Sequence, residues 1–226
     1  MILQIEGVLD AGQVARFRAD LEAAPWADGK VTAGYQSARA KDNDQLPEDC
    51  DVAHRLGREV LDALGRNLLF QTATLPDAIF PPLFNRYAGG QAFGAHVDNA
   101  WRPLASGGRL RTDVSATLFL SEPDSYDGGE LVIEDIHGAQ AFKLAAGDML
   151  VYPATTLHRV APVTRGVRIA SFFWVQSLVA DASRRGILFD IDMGVQSLRP
   201  RVGDDDPALV ALTGAYHNLL RAWSAP

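Results

Sequence analysis

Apolar residues recur at helical spacing near the start of the chain. Val14, Phe17 and Leu21 lie three or four residues apart and follow Asp10, whose side chain is suited to open a capping box. A second stripe with the same period predicts another helix over residues 52–69. Its apolar members are Leu56, Val60, Leu61, Leu64 and Leu68. We expect both helices to support one face of a sheet.

The pattern changes from Ile79 onward, where short apolar runs alternate with turn residues. Seven of these runs predict strands, at residues 83–87, 114–120, 130–134, 141–144, 149–152, 159–163 and 167–176. Many short strands at close spacing indicate an all-β sandwich or barrel, a class that includes the double-sheet jelly roll. The polar segment 27–51 has neither period and predicts a loop or a weak hairpin.

The helical period returns after Ser177. Residues 204–207 combine three aspartates with a proline, as is typical of a helix start. The helix that follows carries an apolar stripe made of Leu209, Leu212, Tyr216, Leu219, Leu220 and Trp223. We interpret this stripe as core, with a homo-oligomer contact as the weaker alternative.

Length, charge and cysteine content limit the classes of protein to consider. The 226 residues suit one core with helical additions, and the net charge of −7 without a basic cluster argues against nucleic-acid binding. Cys50 is the only cysteine, which excludes an internal disulfide and favours a reducing compartment. Neither a signal peptide at Met1 nor a membrane-length apolar stretch is visible. We therefore expect a cytoplasmic protein without nucleic-acid or membrane partners.

Three side chains form a candidate metal site. In an extended segment residues i and i+2 point to the same side, so His96 and Asp98 can present an imidazole and a carboxylate to one point. His158, in a distant segment, can supply the third ligand. Two histidines and one carboxylate suit non-haem Fe(II) and leave coordination positions open. His54 and His217, which lie in predicted helices, are interpreted as structural or solvated.

Arg168 is the second candidate for a binding role. It opens an apolar run that extends to Val175, and a charge buried in such a run needs a partner. An anionic co-substrate would provide one, because a guanidinium suits bidentate recognition of a carboxylate. The alternative is an internal salt bridge with a carboxylate of the chain.

The surrounding segments carry a family resemblance. Beside His96, Asp98, His158 and Arg168, they are Asn85–Tyr87, Gly94–Ala100, Arg111–Ser121, Tyr126–Leu131, Gly147–Asp148 and Tyr152–Pro153. Together they resemble the bacterial PKHD-type hydroxylases, relatives of prolyl 4-hydroxylase that are often associated with iron uptake. These belong to the Fe(II)/2-oxoglutarate-dependent dioxygenases. One position departs from the expected pattern, because Phe93 stands in place of a tyrosine.

The resemblance implies a mainly β fold with flanking α-helices, a double-stranded β-helix or distorted jelly roll with the metal ligands inside one open end. It implies Fe(II) bound by His96, Asp98 and His158, and 2-oxoglutarate bound by Arg168 with a hydrogen bond from Tyr87. The reaction would be hydroxylation by O₂, with oxidative decarboxylation of 2-oxoglutarate to succinate and CO₂. The resemblance also suggests that ascorbate binds as a reductant.

The same resemblance suggests three regions. They are an N-terminal helical support region at 1–77, a dioxygenase jelly-roll core at 78–178 and a C-terminal helical extension at 179–226. The primary substrate stays open between a small molecule and a peptidyl group: a prolyl residue, a siderophore-like molecule and a free amino acid all fit. No role is assigned to the loop residues Asn99, Trp101, Arg102 and Arg109.

Two other functions are consistent with these residues. The first is an iron- or 2-oxoglutarate-responsive binding protein without turnover, acting in iron homeostasis. Release of succinate in the presence of Fe(II) and air would distinguish the enzyme from it. The second is a zinc hydrolase, which ranks last because the helical His-Glu-x-x-His signature is absent.

Overall fold

The computed structural model describes residues 1–32, 40–136 and 138–224, and antiparallel strands form its centre. In chain order the strands are β1 (Leu3–Ile5), β2 (Ala27–Asp28), β3 (Lys41–Asp42), β4 (Asp44–Gln45), β5 (Pro76–Ile79), β6 (Leu83–Ala88), β7 (Ala92–His96), β8 (Trp101–Pro103), β9 (Arg109–Arg111), β10 (Val114–Phe119), β11 (Asp127–Gly128), β12 (Leu131–Asp135), β13 (Gly138–Phe142), β14 (Met149–Pro153), β15 (Leu157–Val160), β16 (Val163–Arg165) and β17 (Val167–Ser177). The helices are α1 (Ala11–Glu22), α2 (Asp51–Arg66), α3 (Leu68–Thr74), α4 (Ala182–Val202) and α5 (Pro207–Trp223), with a 3₁₀ turn at Gly29–Thr32.

Two main sheets contain most of the strands. The larger sheet has the order β1-β14-β10-β17-β6-β4-β2, with β5 also paired to β17, and the smaller has the order β13-β12-β15-β7-β3. Buried residues of both sheets, such as Tyr87, Phe119, Ile133 and Val160, pack into one hydrophobic cluster. The prediction of a mainly β double-stranded β-helix with flanking helices is confirmed.

Strand β10 shows how the larger sheet is covered on both faces. All its residues are buried, because Val114, Ala116 and Leu118 join the cluster that contains the apolar stripes of α1 and α2. Phe119 packs in the cluster shared by the two sheets, and Ser115 and Thr117 line the cavity between them. The N-terminal helices therefore close one side of the larger sheet and leave its other side to form a site.

The capping box predicted at the start of α1 is confirmed. Asp10 Oδ1 accepts from the backbone N–H of Gln13 at 2.8 Å, and Gln13 Oε1 accepts from the N–H of Asp10 at 2.9 Å. The prediction of one helix over 52–69 is wrong at its end. Asn67 is extended and its side chain caps α3 by accepting from Phe70 N–H, so the chain turns there. Leu68, predicted in the buried stripe, is 75% exposed.

The segment 27–51 contributes more to the fold than its sequence pattern indicates. Strand β2 pairs with β4, β4 pairs with β6, and β3 pairs with β7. Short pieces of one irregular segment therefore extend both main sheets. Residues 33–39, where the weak hairpin would turn, lie outside the described residues. The division at 77 and 178 into three regions stays a prediction.

The C-terminal helices pack against each other, and α4 also packs against α3. Asp206 caps α5 by accepting from two backbone N–H groups, which confirms the predicted helix start. Most of the α5 stripe is partly buried on a small cluster around Val179 and Leu188, whereas Leu212 is exposed. The oligomer contact stays a prediction. Within the described ranges, no helix is long and apolar enough to cross a bilayer.

Candidate active site

The three predicted metal ligands lie together. His96 ends β7 and is the register partner of His158 on β15, and their ring centroids are 4.3 Å apart. Asp98 lies two residues beyond the strand, with Oδ2 3.8 Å from His158 Nε2. One ligand atom from each residue lies within 4.8 Å of the others. This spacing would allow a single metal ion to contact all three side chains.

Hydrogen bonds orient each candidate ligand. His96 Nδ1 lies 2.8 Å from the Gly94 carbonyl oxygen, and His158 Nδ1 lies 3.0 Å from that of Thr156. Because a carbonyl only accepts, Nδ1 carries the proton in both rings and Nε2 keeps the lone pair that a metal requires. Asp98 Oδ2 accepts a hydrogen bond from Ser115 Oγ at 2.5 Å.

The surroundings of His96 favour a neutral imidazole. Burial and, secondarily, the nearby His158 lower the pKa of His96 to about 4. The Phe93 ring stacks on the His96 ring with centroids 3.7 Å apart. Phenylalanine at this position therefore packs against a candidate ligand and contributes no hydroxyl group to the cavity wall.

Arg168 is buried at the opposite end of the site and is 1% exposed. Its guanidinium carbon lies 5.4 Å from the Tyr87 ring centroid and 5.3 Å from that of Phe119. Neither Nε nor Nη1 has a hydrogen-bond partner among the described residues. Among the described residues, these two nitrogens take part in no internal salt bridge, which is the alternative left open by the sequence. Two buried N–H donors fit an anionic ligand.

Tyr87 belongs to the wall around Arg168. The two residues are register partners on β6 and β17. Burial raises the pKa of the Tyr87 hydroxyl to about 12. The hydroxyl therefore keeps its proton at neutral pH and can donate a hydrogen bond to a ligand.

The Asp-Gly-Gly-Glu segment shapes the same end of the site. Gly129 has φ of +70°, and an added Cβ would lie 2.9 Å from Tyr126 Cε2 and 3.0 Å from Arg168 Cδ. Only glycine allows the backbone to pass this close to Arg168. Tyr126, which is buried beside this guanidinium, was not singled out from the sequence, although it begins one of the segments that carry the resemblance.

A cavity of about 820 Å³, measured out to its open mouth, connects the candidate ligands with Arg168. Of the unassigned loop residues, Asn99 and Arg102 line it. Trp101 is instead 43% exposed, and the Arg109 guanidinium lies over its ring at 4.4 Å. Lys41 also lines the cavity, and no pattern in the sequence indicated this.

Comparison with known proteins places the fold and the sequence in one superfamily. Residues 82–176 match the 2OG-Fe(II) oxygenase superfamily, and residues 181–225 match the PKHD-type hydroxylase C-terminal domain. Two PKHD-type hydroxylases, from Phenylobacterium zucineum and Saccharophagus degradans, are 58% and 59% identical, over 99% of this chain and of each relative.

Solved structures with the same fold are more distant. A Pseudomonas putida prolyl-4-hydroxylase is 20% identical, with a TM-score of 0.54 over 77% of this chain and 92% of that one. HygX from Streptomyces hygroscopicus, solved with nickel, 2-oxoglutarate and hygromycin B bound, is 18% identical, with a TM-score of 0.51 over 78% and 82%.

These matches establish the class of protein. The fold, the superfamily match and the close relatives are those of a non-haem iron dioxygenase that uses 2-oxoglutarate. Within this class the chain belongs to the PKHD-type hydroxylase family. The predictions of an enzyme, of a hydroxylase and of Fe(II) with 2-oxoglutarate as its co-substrate are confirmed.

Proposed function

We propose that His96, Asp98 and His158 bind the Fe(II) of this hydroxylase. The observation that carries the assignment is the convergence of two imidazoles and one carboxylate within 4.8 Å at the wall of the cavity. This donor set suits Fe(II) because it occupies one face of the ion and leaves the other positions for exchangeable ligands. When bound, Fe(II) and 2-oxoglutarate supply the O₂-dependent oxidation of a substrate C–H bond.

The co-substrate fits the other end of the cavity. Arg168 offers two buried donors without a partner among the described residues, and Tyr87 offers a protonated hydroxyl beside it. A terminal carboxylate of 2-oxoglutarate would satisfy these groups, and the enclosing aromatic rings would exclude water from the ion pair. Arg168 and Tyr87 would thus bind and orient the far carboxylate of the co-substrate, while the metal ion held by His96, Asp98 and His158 would bind its 2-oxo acid end.

The primary substrate is a small molecule or a peptidyl group. The names of the structural neighbours do not narrow this choice, because they include prolyl hydroxylases, an epimerase and a carbocyclase, and one fold supports many substrates. The single cysteine supports a reducing, cytoplasmic setting. Ascorbate fits as an external reductant that keeps the iron in the Fe(II) state.

Succinate release tests the assignment of the metal ligands. Purified protein with Fe(II), 2-oxoglutarate and air should release succinate, and His96→Ala, Asp98→Ala and His158→Ala should each abolish both the release and tight anaerobic Fe(II) binding. His54→Ala is the matched control, because this histidine is exposed on α2. Full activity in the three variants would reject the assignment. Fe(II) and 2-oxoglutarate binding without succinate release would favour the binding protein.

A further inference from the structure

Lys41 introduces a second buried cation into the cavity. It lies on β3, beside Phe93 on β7, and is 4% exposed. Its ammonium nitrogen lies 5.7 Å from the Phe93 ring centroid and 5.8 Å from that of Phe172, and it donates to Gln45 Oε1 at 2.8 Å. The aromatic faces and the amide oxygen hold the ammonium group in a defined place at the cavity wall.

Lys41 and Arg168 face different parts of the cavity. Arg168, Phe172 and Trp174 alternate on one face of β17 and all line the cavity. At about 3.3 Å per residue, Phe172 lies roughly 13 Å along the strand from Arg168. Lys41 is next to Phe172, whereas the Arg102 guanidinium is 4.6 Å from the Trp174 ring centroid. The cavity therefore has one cationic end for the co-substrate and another beyond it.

Two carboxylates, Asp28 and Glu48, act on the Lys41 charge, but both are exposed and neither lines the cavity. Among the described residues that line the cavity, Asp98 is the only acidic one, and it is a proposed metal ligand. Arg102 is paired at 3.6 Å with Glu48, whose side chain is 47% exposed and outside the lining. Bound 2-oxoglutarate and Asp98 would balance the charges of Fe(II) and Arg168. A ligand entering the loaded cavity would therefore meet a positive potential around Lys41.

We propose that Lys41 binds an anionic group of the primary substrate, a compact monoanion such as a carboxylate, and thereby places the substrate's C–H bond over the metal. This inference rests on the proposed function. A single ammonium group matches one negative charge. Lys41 is thus a specificity-determining residue, which selects acidic small molecules over neutral and cationic ones.

An alternative role for Lys41 is to bind 2-oxoglutarate itself. The two roles differ in the ligand whose affinity depends on the ammonium group. If Lys41 binds the substrate, Lys41→Met should lower kcat/KM for the substrate about 30-fold or more, as expected for the loss of a charge-assisted pair. The dissociation constant of 2-oxoglutarate on the anaerobic Fe(II) protein, measured by calorimetry, should change by less than about threefold.

The experiment uses the full-length protein and a bacterial small-molecule extract separated on an anion exchanger. Each fraction is assayed for stimulation of succinate release and, under ¹⁸O₂, for a labelled product by mass spectrometry. We expect the stimulating compound to be retained by the exchanger and its labelled product to carry a carboxylate. Lys41→Met should reduce the stimulation by low concentrations of this compound about 30-fold or more, and Lys41→Arg should keep part of it.

Lys30→Met is the matched control, because Lys30 is exposed on the 3₁₀ turn at Gly29–Thr32. This variant should respond to the fractions like the wild type. Stimulation only by the unretained fraction, equal stimulation of Lys41→Met, or no stimulating fraction would overturn the inference. So would a loss of 2-oxoglutarate affinity in Lys41→Met as large as the loss of stimulation. Failure of the proposed function gives a different result, since the wild type would then lack Fe(II)-dependent succinate release altogether.

Discussion

His96 and His158 are opposite each other in the antiparallel pair β7–β15, with their ring centroids 4.3 Å apart. Strand register alone brings opposite side chains to this kind of distance, so two of the three proposed ligands are positioned by the backbone of the smaller sheet. Asp98 lies beyond the end of β7 and is instead held by the hydroxyl of Ser115 on the larger sheet. The proposed metal centre therefore depends on both sheets.

Ser115→Ala should weaken Fe(II) binding about 10- to 100-fold, because Asp98 would lose the hydrogen bond that orients it. Anaerobic titration with Fe(II) would measure the change. Ser171→Ala provides the control, since Ser171 is another buried serine of the same sheet and its Oγ has no partner among the described residues. Wild-type affinity in Ser115→Ala would show that Asp98 needs no such support.

Arg168→Ala should raise the Michaelis constant for 2-oxoglutarate by about 30-fold to several thousandfold, which corresponds to roughly 2–5 kcal/mol for a lost charge-assisted pair. Fe(II) affinity should stay nearly unchanged, and Arg168→Lys should recover only part of the loss. The melting temperature of the ligand-free protein should fall only by the packing lost against Tyr87 and Phe119, because Nε and Nη1 have no internal partner to lose among the described residues.

Arg86→Ala is the contrasting control for Arg168. Arg86 lies on β6 and pairs with Asp44 at 2.7 Å, so its removal should affect stability and leave 2-oxoglutarate kinetics intact. A lower melting temperature in Arg168→Ala, with 2-oxoglutarate affinity preserved, would mean that Arg168 has a structural role instead.

Gly129→Ala should lower the free energy of unfolding by about 2–4 kcal/mol, since it combines a left-handed backbone with crowding against Tyr126 and Arg168. The displaced guanidinium should also raise the Michaelis constant for 2-oxoglutarate. Gly108→Ala separates the two effects, because Gly108 has φ of +80° but open space around it. It should cost about 1 kcal/mol and leave the kinetics unchanged. If urea titrations gave the same loss of unfolding free energy for both substitutions, crowding against Tyr126 and Arg168 would not contribute to the effect of Gly129→Ala.

Lys41 should make stability depend on pH. Burial and, to a lesser extent, Arg102 lower the pKa of Lys41 to about 8 from its ordinary value of 10.5. The folded protein then binds fewer protons than the unfolded chain between these values, so the free energy of unfolding rises with pH. Relative to Lys41→Met, the wild type should gain up to roughly 3 kcal/mol between about pH 8 and 10.5. If the free energies of unfolding of the two proteins changed in parallel with pH, this pKa shift would be contradicted.

The sequence predicted the candidate metal ligands, Arg168 and Tyr87, but it did not predict that Lys41 lines the same cavity. His96 and Asp98 stood out by their i, i+2 spacing with a distant His158, and Arg168 by its place in an apolar run. The structure brings these four residues to one cavity. Their individual roles stay predictions. Lys41 had no comparable signal, because it lies in a strand of two residues whose position depends on pairing with Phe93. Such non-local pairing leaves no period in the local sequence.

The errors in the helices have a different origin. The apolar period of α2 continues past Asn67, and this concealed the cap that begins α3. Asn67 is itself a preferred N-cap residue, so the break had a local signal that the periodicity outweighed. The starts of α1 and α5 were predicted because their capping aspartates precede the apolar positions without such a conflict.

The groups proposed to hold the two ends of 2-oxoglutarate, Arg168 and the metal site, belong to opposite layers of the sandwich. Arg168 lies on β17 of the larger sheet, whereas His96 and His158 lie on the smaller one. A 2-oxoglutarate molecule bound at both ends would span the space between the two sheets. The width of that space would then determine which length of co-substrate fits. Dicarboxylates one methylene shorter or longer would reach only one wall, so co-substrate choice would be set by the separation of two sheets.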